Sequence, residues 1–277
     1  MVKGLRSFQE WFHGYEEQYT IIGGTACDLL MSAGGLDFRA TKDIDLVLII
    51  EAVTPEFGKH FWEYVIQAGY EHRNKSTGEP QFYRFSRPEN EEYPFMIELF
   101  TRRMGAVKLP ENAVLTPLPM DDELSSLSAI LLSNEYYEFL LQGRVRSNGI
   151  TILDAGYLIP FKAKAWIDLT DRKSAGEKID SKNICKHKND ILRLSALLGQ
   201  NTKVNVTPEI YRDIQVFLEA MSREAADTKQ LGLTRTRDEI LEILRNTYLK
   251  SEQQHEVSGE TLSMEEGVLS ALCHQVQ

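Results

Sequence analysis

Two aspartates stand two positions apart in the run Asp43-Ile-Asp45-Leu. Alternate side chains of a β-strand emerge on one face, so these carboxylates would lie side by side, roughly 6–7 Å apart at Cα. The residues between and after them are apolar, which predicts a buried strand over residues 43–50. Two like charges at the start of such a strand are costly unless a cation lies between them. The pattern therefore indicates a site for Mg²⁺, which binds a few carboxylates together with substrate phosphates.

A third carboxylate, Glu98, interrupts the apolar run Phe95-Met-Ile-Glu-Leu-Phe100. An unpaired carboxylate among apolar neighbours is expensive and needs a cation or a basic partner. Three carboxylates from two strands are the minimum set for a two-metal phosphoryl-transfer site. In a purely structural alternative, Asp43 caps its strand and Glu98 pairs with Arg84 or Arg102.

The glycine pair Gly23-Gly24 ends a predicted strand at 19–24 and precedes a predicted helix that Thr25 can cap. Glycines allow the backbone to approach a ligand closely, and the N–H groups that open a helix bind phosphate oxygens. A Gly-Gly turn is weak evidence by itself. It gains weight because an Asp-x-Asp strand follows it in the same α/β unit.

The combination resembles a known family. The stretch Gly23-Gly-Thr-Ala, followed by Arg39-Ala-Thr-Lys-Asp43-Ile-Asp45-Leu, is similar to the signature of the nucleotidyltransferase fold and, more narrowly, to the AbiEii/AbiGii-type nucleotidyltransferase toxins. Glu98 matches the third carboxylate of that fold. In the helical half, Phe161-Lys-Ala-Lys-Ala-Trp and Lys188-Asn-Asp-Ile resemble the family's two later helical motifs.

The resemblance implies a mixed α+β or α/β core, a sheet flanked by helices, followed by an all-helical C-terminal region. It implies two Mg²⁺ (or Mn²⁺) ions on the three carboxylates, and Lys162 as a catalytic lysine near the leaving pyrophosphate. The residues that it assigns to nucleotide binding are Gly23, Gly24, Thr25, Arg39, Thr41, Lys164 and Asp190. Lys164 can instead pair with Asp168 four residues on. Asp190 can instead form an intrahelical ion pair, and His187, on the apolar stripe of its helix, is expected to be a packed core histidine.

The reaction that the resemblance implies is transfer of a nucleoside monophosphate from an NTP to an acceptor hydroxyl. RNA or tRNA is the implied acceptor, and a toxin or phage-defence role with a separately encoded antitoxin is the implied context. One alternative is transfer to a small molecule such as an aminoglycoside on the same core. Another is a module that binds a nucleotide without turnover.

The elements that must position these residues follow from periodicity. Apolar positions predict a helix opened by Thr54 and Pro55 and ending at Gly69, and strand-like segments at 81–86, 95–101, 113–118, 126–133 and 145–153. Later helices are expected from Pro160 to about residue 170, from a Ser181 cap onward, at 208–222 and at 237–249. We therefore expect a nucleotidyltransferase-like domain at 1–156 and a helical domain at 157–277, ragged from about residue 250.

Composition sets the remaining limits. The chain has 277 residues, 42% of them hydrophobic, and a net charge of −10, which suits a globular protein and argues against a general nucleic-acid coat. One basic segment, 162–193, holds nine Lys or Arg against five Asp or Glu and is compatible with a local polyphosphate or RNA contact. Three scattered cysteines indicate reduced thiols, and no run is long and apolar enough for a membrane span or signal peptide. A cytoplasmic protein is expected.

Overall fold

The computed structural model describes residues 2–71, 84–100, 130–131, 133–224 and 228–251. Its main feature is a mixed six-stranded sheet in the order β3-β4-β2-β1-β6-β5. The strands are β1 (Tyr19–Ile22), β2 (Asp43–Leu48), β3 (Arg84–Ser86), β4 (Met96–Phe100), β5 (Arg144–Ser147) and β6 (Ile150–Leu153). β2 runs parallel to β4 and antiparallel to β1, and β1 runs parallel to β6. β3 and β5 close the two edges as antiparallel neighbours.

Helices accompany and then follow this sheet. The first half contains α1 (Leu5–Trp11), α2 (Gly23–Ala33), α3 (Pro55–Ala68) and α4 (Asn134–Gln142). The second half contains α5 (Ala155–Ser174), α6 (Ser181–Leu194), α7 (Pro208–Arg223) and α8 (Arg237–Thr247). The predicted fold class, a mixed sheet flanked by helices with a helical C-terminal part, is confirmed. That part also holds a small parallel pair that was not predicted, β7 (Val204–Val206) with β8 (Tyr248–Lys250).

The hydrophobic core is continuous between the sheet and the later helices. Ile21 and Leu46 of the sheet belong to the same buried cluster as Leu192 of α6 and Phe217 of α7. The division into domains at 156/157 stays a prediction, and α5 crosses that position. Within the described residues, no helix has an apolar stretch long enough to cross a bilayer.

Local signals placed most elements correctly. Thr54 caps α3 by accepting the Phe57 N–H at 3.2 Å, Pro55 is its first residue, and Gly69 ends it with a left-handed φ of 66°. The apolar run after Asp43 forms β2, in which Ile44 and Leu46 are fully buried. The predicted strands near 81–86 and 95–101 appear as β3 and β4, and 145–153 is the β5–β6 hairpin.

The start of α5 differs from the prediction for a specific reason. The helix begins at Ala155, capped by Asp154, and Pro160 lies inside it. A proline at that position cannot donate to the carbonyl of Gly156, which normally disfavours a helix interior. Here the Tyr248 hydroxyl, on β8, donates to that carbonyl at 2.8 Å, so the missing bond is replaced from a distant part of the chain.

Other expectations need smaller corrections. Asp180, one residue before Ser181, caps α6, and its carboxylate accepts the Lys182 N–H at 2.9 Å. The strand expected within 126–133 is wrong where it is described, since Ile130 and Leu131 are helical. The strand expected at 113–118 and nearly all of the tail lie outside the described residues.

Candidate active site

A cavity of about 670 Å³ is lined by the sheet and by the helices that cover it. Its volume falls within the range of small-molecule and cofactor sites. The glycines and the polar or charged residues that line it are Gly23, Gly24, Arg39, Thr41, Lys42, Asp43, Asp45, Arg84, Glu98, Lys162, Asn183, Lys186 and His187. Nine of the eleven predicted site residues are contained in or directly bonded to this set. The two exceptions, Thr25 and Lys164, are described below.

The three predicted carboxylates come together on one wall of the cavity. Asp43 and Asp45 alternate along β2, and the parallel register with β4 sets Asp45 directly opposite Glu98. Neighbouring strands are about 4.8 Å apart, so Asp45 and Glu98 are adjacent residues on the same face. The strand alternation seen in the sequence therefore predicted the wall correctly, and the strand pairing assembles it.

Glu98 is satisfied by a basic partner, as the structural alternative anticipated. Nε and Nη2 of Arg84, on the edge strand β3, lie 2.8 and 2.7 Å from Oε1 of Glu98. Burial and, next, the negative charge of Asp45 raise the pKa of Glu98 to about 9, while Arg84 acts in the opposite direction. Arg102, the other partner considered, lies outside the described residues.

The carboxylate oxygens of this wall are suitable ligands for a divalent cation, although they do not form a complete coordination site. In the parts of the chain that the structure describes, no three His, Cys, Asp or Glu side chains form a group ready to hold a metal ion. Mg²⁺ is commonly bound through one or two carboxylates, with water and substrate phosphates completing its shell. Asp43 and Asp45, both partly exposed to the cavity, meet that requirement.

The glycine pair makes room for this wall. Gly23 has a left-handed φ of 67°, and a Cβ there would lie 1.6 Å from Oδ2 of Asp45. A Cβ on Gly24 would lie 2.6 Å from Oγ1 of Thr41. Both positions therefore require glycine, and the N-terminus of α2 meets the aspartates without an intervening side chain. The first N–H groups of that helix are a suitable binding site for phosphate oxygens.

Thr25 lies outside the cavity lining in which it was expected. α2 begins at Gly23 with Ile22 as its N-cap, so Thr25 lies within the first turn. Its side chain is buried, and its hydroxyl donates to the main-chain carbonyl of Asp43 at 2.6 Å. It is not among the residues that line the cavity. Thr25 thus ties α2 to the start of β2, and its hydroxyl is committed to that bond.

A largely buried cluster of three charges lies beside the same cavity. Asp190 of α6 is 0% exposed and accepts two hydrogen bonds from Arg39, Nε to Oδ1 at 2.9 Å and Nη2 to Oδ2 at 2.8 Å. Nζ of Lys162, on α5, lies 2.9 Å from Oδ2 of the same carboxylate. Burial would raise the pKa of Asp190, but the charge of Lys162 and the bonds from Arg39 lower it below its usual range. Two cations thus share one anion, which leaves a net positive charge beside the cavity.

Of the two candidate lysines of α5, only one lies in the cavity lining. Burial opposes the charge of Lys162, yet Asp190 raises the pKa of Lys162 above its usual value, so the lysine is ionised. Lys164 is not a lining residue: its Nζ lies 2.9 Å from Oδ2 of Asp213, on α7. The pairing of Lys164 with Asp168 is also wrong, because Asp168 lies 3.7 Å from Arg172. Lys162 is the lysine that reaches the cavity.

Sequence reasoning missed some of the residues in the cavity. Lys42, Asn183 and Lys186 line it, and the basic segment 162–193 signalled only the last two. Arg84, considered in the sequence only as a structural partner of Glu98, lines it as well. His187 was expected to be a packed histidine, and both of its ring nitrogens are indeed buried, with no hydrogen-bond partner among the described residues. Burial and then the charges of Lys162 and Lys186 lower the pKa of His187 well below its ordinary value, so the ring is neutral.

Comparisons with known proteins include a solved structure of low similarity. No family model matches the chain, and no curated protein matches it. Among solved structures, the polyadenylate synthase of Megavirus aligns with a TM-score of 0.36 and 12% identity. The alignment covers 79% of this chain and 37% of that one, so the chain spans little more than a third of the neighbour's length. The function proposed below rests on the cavity and its side chains.

Proposed function

We propose that this protein is a metal-dependent nucleotidyltransferase that moves a nucleoside monophosphate from an NTP to an acceptor hydroxyl and releases pyrophosphate. One observation carries the proposal. A single cavity has paired aspartates on one wall, a glycine-lined helix N-terminus beside them, and more basic than acidic side chains in its lining. A nucleoside triphosphate with its divalent cation needs all three.

The carboxylates would hold the cations. Asp43 and Asp45 would bind the ion that accompanies the triphosphate, and Asp45 with Glu98 would bind a second Mg²⁺ or Mn²⁺. When bound, such ions lower the pKa of an acceptor hydroxyl and offset charge on the transferred phosphoryl group. A counter-charge would relieve this wall, because Glu98 is buried and its carboxyl lies beside that of Asp45 on the adjacent strand.

The basic residues of the cavity would bind the phosphates. Arg39 and Lys162 carry two positive charges against the single charge of Asp190, and Lys186 adds another beside the cavity. A preorganised cation near the leaving group stabilises negative charge as the bond to pyrophosphate breaks. We assign that role to Lys162, whose Nζ is oriented by Asp190. Gly23, Gly24 and Thr41 border the place where the phosphates would lie.

RNA, and tRNA in particular, is the acceptor that we propose. The basic segment 162–193 forms α5 and α6, which supply Lys162, Asn183 and Lys186 to the cavity. A cationic surface that continues into the site suits a phosphate backbone better than it suits a small uncharged acceptor. A toxin or phage-defence role with a separate antitoxin follows only from the resemblance to the AbiEii/AbiGii-type toxins and is proposed on that basis.

The test combines a substrate assay with paired substitutions. Asp43→Asn with Asp45→Asn should abolish NTP turnover and leave the melting temperature similar or higher, because it removes mutual repulsion. Asp171→Asn with Asp238→Asn, two exposed acidic positions outside the cavity, is the control with the same change of charge. Pyrophosphate release and label from each radioactive NTP are measured with total RNA and with aminoglycosides as acceptors.

Each outcome separates the alternatives. Label that enters RNA, and is lost in the Asp43/Asp45 variant alone, supports the proposal. Label in the aminoglycoside fraction would favour the small-molecule enzyme. Thermal stabilisation by NTP without pyrophosphate release would favour a binding module. Unfolding of the Asp43/Asp45 variant would indicate that the aspartates are structural.

A further inference from the structure

Three charged side chains form a row across three adjacent strands of the sheet. Arg84 of β3 is in register with Glu98 of β4, and Glu98 is in register with Asp45 of β2. All three line the cavity. Glu98 therefore lies between a cation on one side and a like charge on the other. The row continues to β1, where Ile22, the residue before Gly23, pairs with Asp45.

The contacts of Arg84 are specific within this row. Its Nε and Nη2 both converge on Oε1 of Glu98, at 2.8 and 2.7 Å. The side chains are 29% and 11% exposed, so the pair is largely screened from water and its geometry is not that of a loose surface contact. A guanidinium that takes one carboxyl oxygen restricts rotation of the carboxylate and orients its other oxygen.

We propose that Arg84 is a positioning residue of the second divalent-cation site: it holds Oε1 of Glu98 so that the other carboxyl oxygen, together with Asp45, is available to a divalent cation. This inference rests on the proposed nucleotidyltransferase function. Arg84 also contributes the positive charge that offsets the repulsion between Glu98 and Asp45 before the cation arrives.

A second interpretation of the Arg84–Glu98 pair predicts the opposite effect of removing Arg84 on metal binding. If Arg84 simply occupied the place of the second cation, its removal would free Glu98 and strengthen metal binding. If Arg84 positions Glu98, its removal leaves the buried carboxyl beside Asp45 without the guanidinium that orients it, and metal binding weakens. Direct measurement of metal binding distinguishes these two cases without reference to turnover.

The experiment measures binding of Mn²⁺ alone to the full chain, by electron paramagnetic resonance of the free ion and by calorimetry. Glu98→Gln identifies the Mn²⁺ sites that depend on this carboxylate. We expect Arg84→Gln to weaken those sites at least tenfold. Arg84→Lys, which keeps the charge but loses the forked contact, should give an intermediate loss. Arg87→Gln, which alters an exposed arginine 4.0 Å from Glu71 near the same strand, is the matched control and should bind as the parent chain does.

Each outcome of these measurements supports or overturns the positioning role of Arg84. Parent-like or tighter Mn²⁺ binding in Arg84→Gln would overturn the positioning role while leaving the proposed function intact. If thermal unfolding shows that Arg84→Gln does not fold, Arg84→Lys decides in the same way, and parent-like binding there overturns the inference. Absence of Mn²⁺ binding by the parent chain, up to millimolar concentration and with NTP added, would overturn the proposed function and this inference with it.

Discussion

Replacement of Asp190 by Asn should destabilise the protein more than its single lost charge suggests. Asp190 is the common partner of Arg39 and Lys162, and the substitution leaves the ammonium of Lys162, 5% exposed, without its counter-charge. Removal of one member of a buried ion pair costs about 3–5 kcal/mol. Arg39 has a side chain 25% exposed and can regain water, which favours the lower end, about 3 kcal/mol. For a chain of this size, that corresponds to a fall in melting temperature of roughly 6–12 °C.

The assay is thermal and urea unfolding at neutral pH, with a control on α5, the helix that carries Lys162. Lys164→Gln breaks a more exposed pair with Asp213, which also accepts a hydrogen bond from Tyr136 at 2.9 Å. We expect that control to cost less than about 1 kcal/mol. Adding Lys162→Met to Asp190→Asn should recover part of the loss, because the unpaired buried charge is removed. The reasoning is refuted if Asp190→Asn and Lys164→Gln are equally mild, or if the double variant is less stable than Asp190→Asn alone.

Two further substitutions test the carboxylate wall. Gly23→Ala should lower stability and weaken Mn²⁺ binding, because its Cβ would meet Oδ2 of Asp45 at 1.6 Å and a φ of 67° is strained for alanine. Gly35→Ala, with a φ of 70° and open space around it, is the control for backbone strain alone. Equal Mn²⁺ binding by the two variants would contradict the close approach to Asp45. Glu98→Gln should gain stability relative to the parent chain as pH rises from about 4.5 to about 9: a raised folded-state pKa favours the protonated form, so the parent loses stability over that interval and the neutral glutamine does not. Urea denaturation at pH 5, 7 and 9 measures the difference, and a constant difference across this range would show that Glu98 is ionised at little cost.

Local pattern was sufficient for the parts of the site that lie within one element. The alternation of β2 placed Asp43 and Asp45 on one face, and the glycines before α2 indicated a close approach of the backbone. Pattern alone did not decide between Arg84 and Arg102 as the partner of Glu98. That choice depends on which strand pairs with β4, and strand pairing is a non-local property.

Two of the incorrect assignments have the same cause. The sequence pattern predicts that Lys164 binds a nucleotide or pairs with Asp168, but α7 brings Asp213 to it from 49 residues away. Pro160 seemed to open a helix, but Tyr248 repairs the broken hydrogen bond from 92 positions along the chain. In both cases a distant residue supplied a partner that overrode the local preference, as tertiary contacts commonly do.

The amino-acid sequence by itself determined the elements, their buried faces and the kinds of atoms that face the cavity, because these depend on periodicities of two or 3.6 residues within short segments. Tertiary structure alone decided which charges neutralise one another. Arg39 and Asp190 are 151 residues apart, and Arg84 reaches Glu98 only through the register of β3 on β4. Ion pairs form wherever packing places opposite charges in a site of low dielectric, and that placement is set by the fold as a whole.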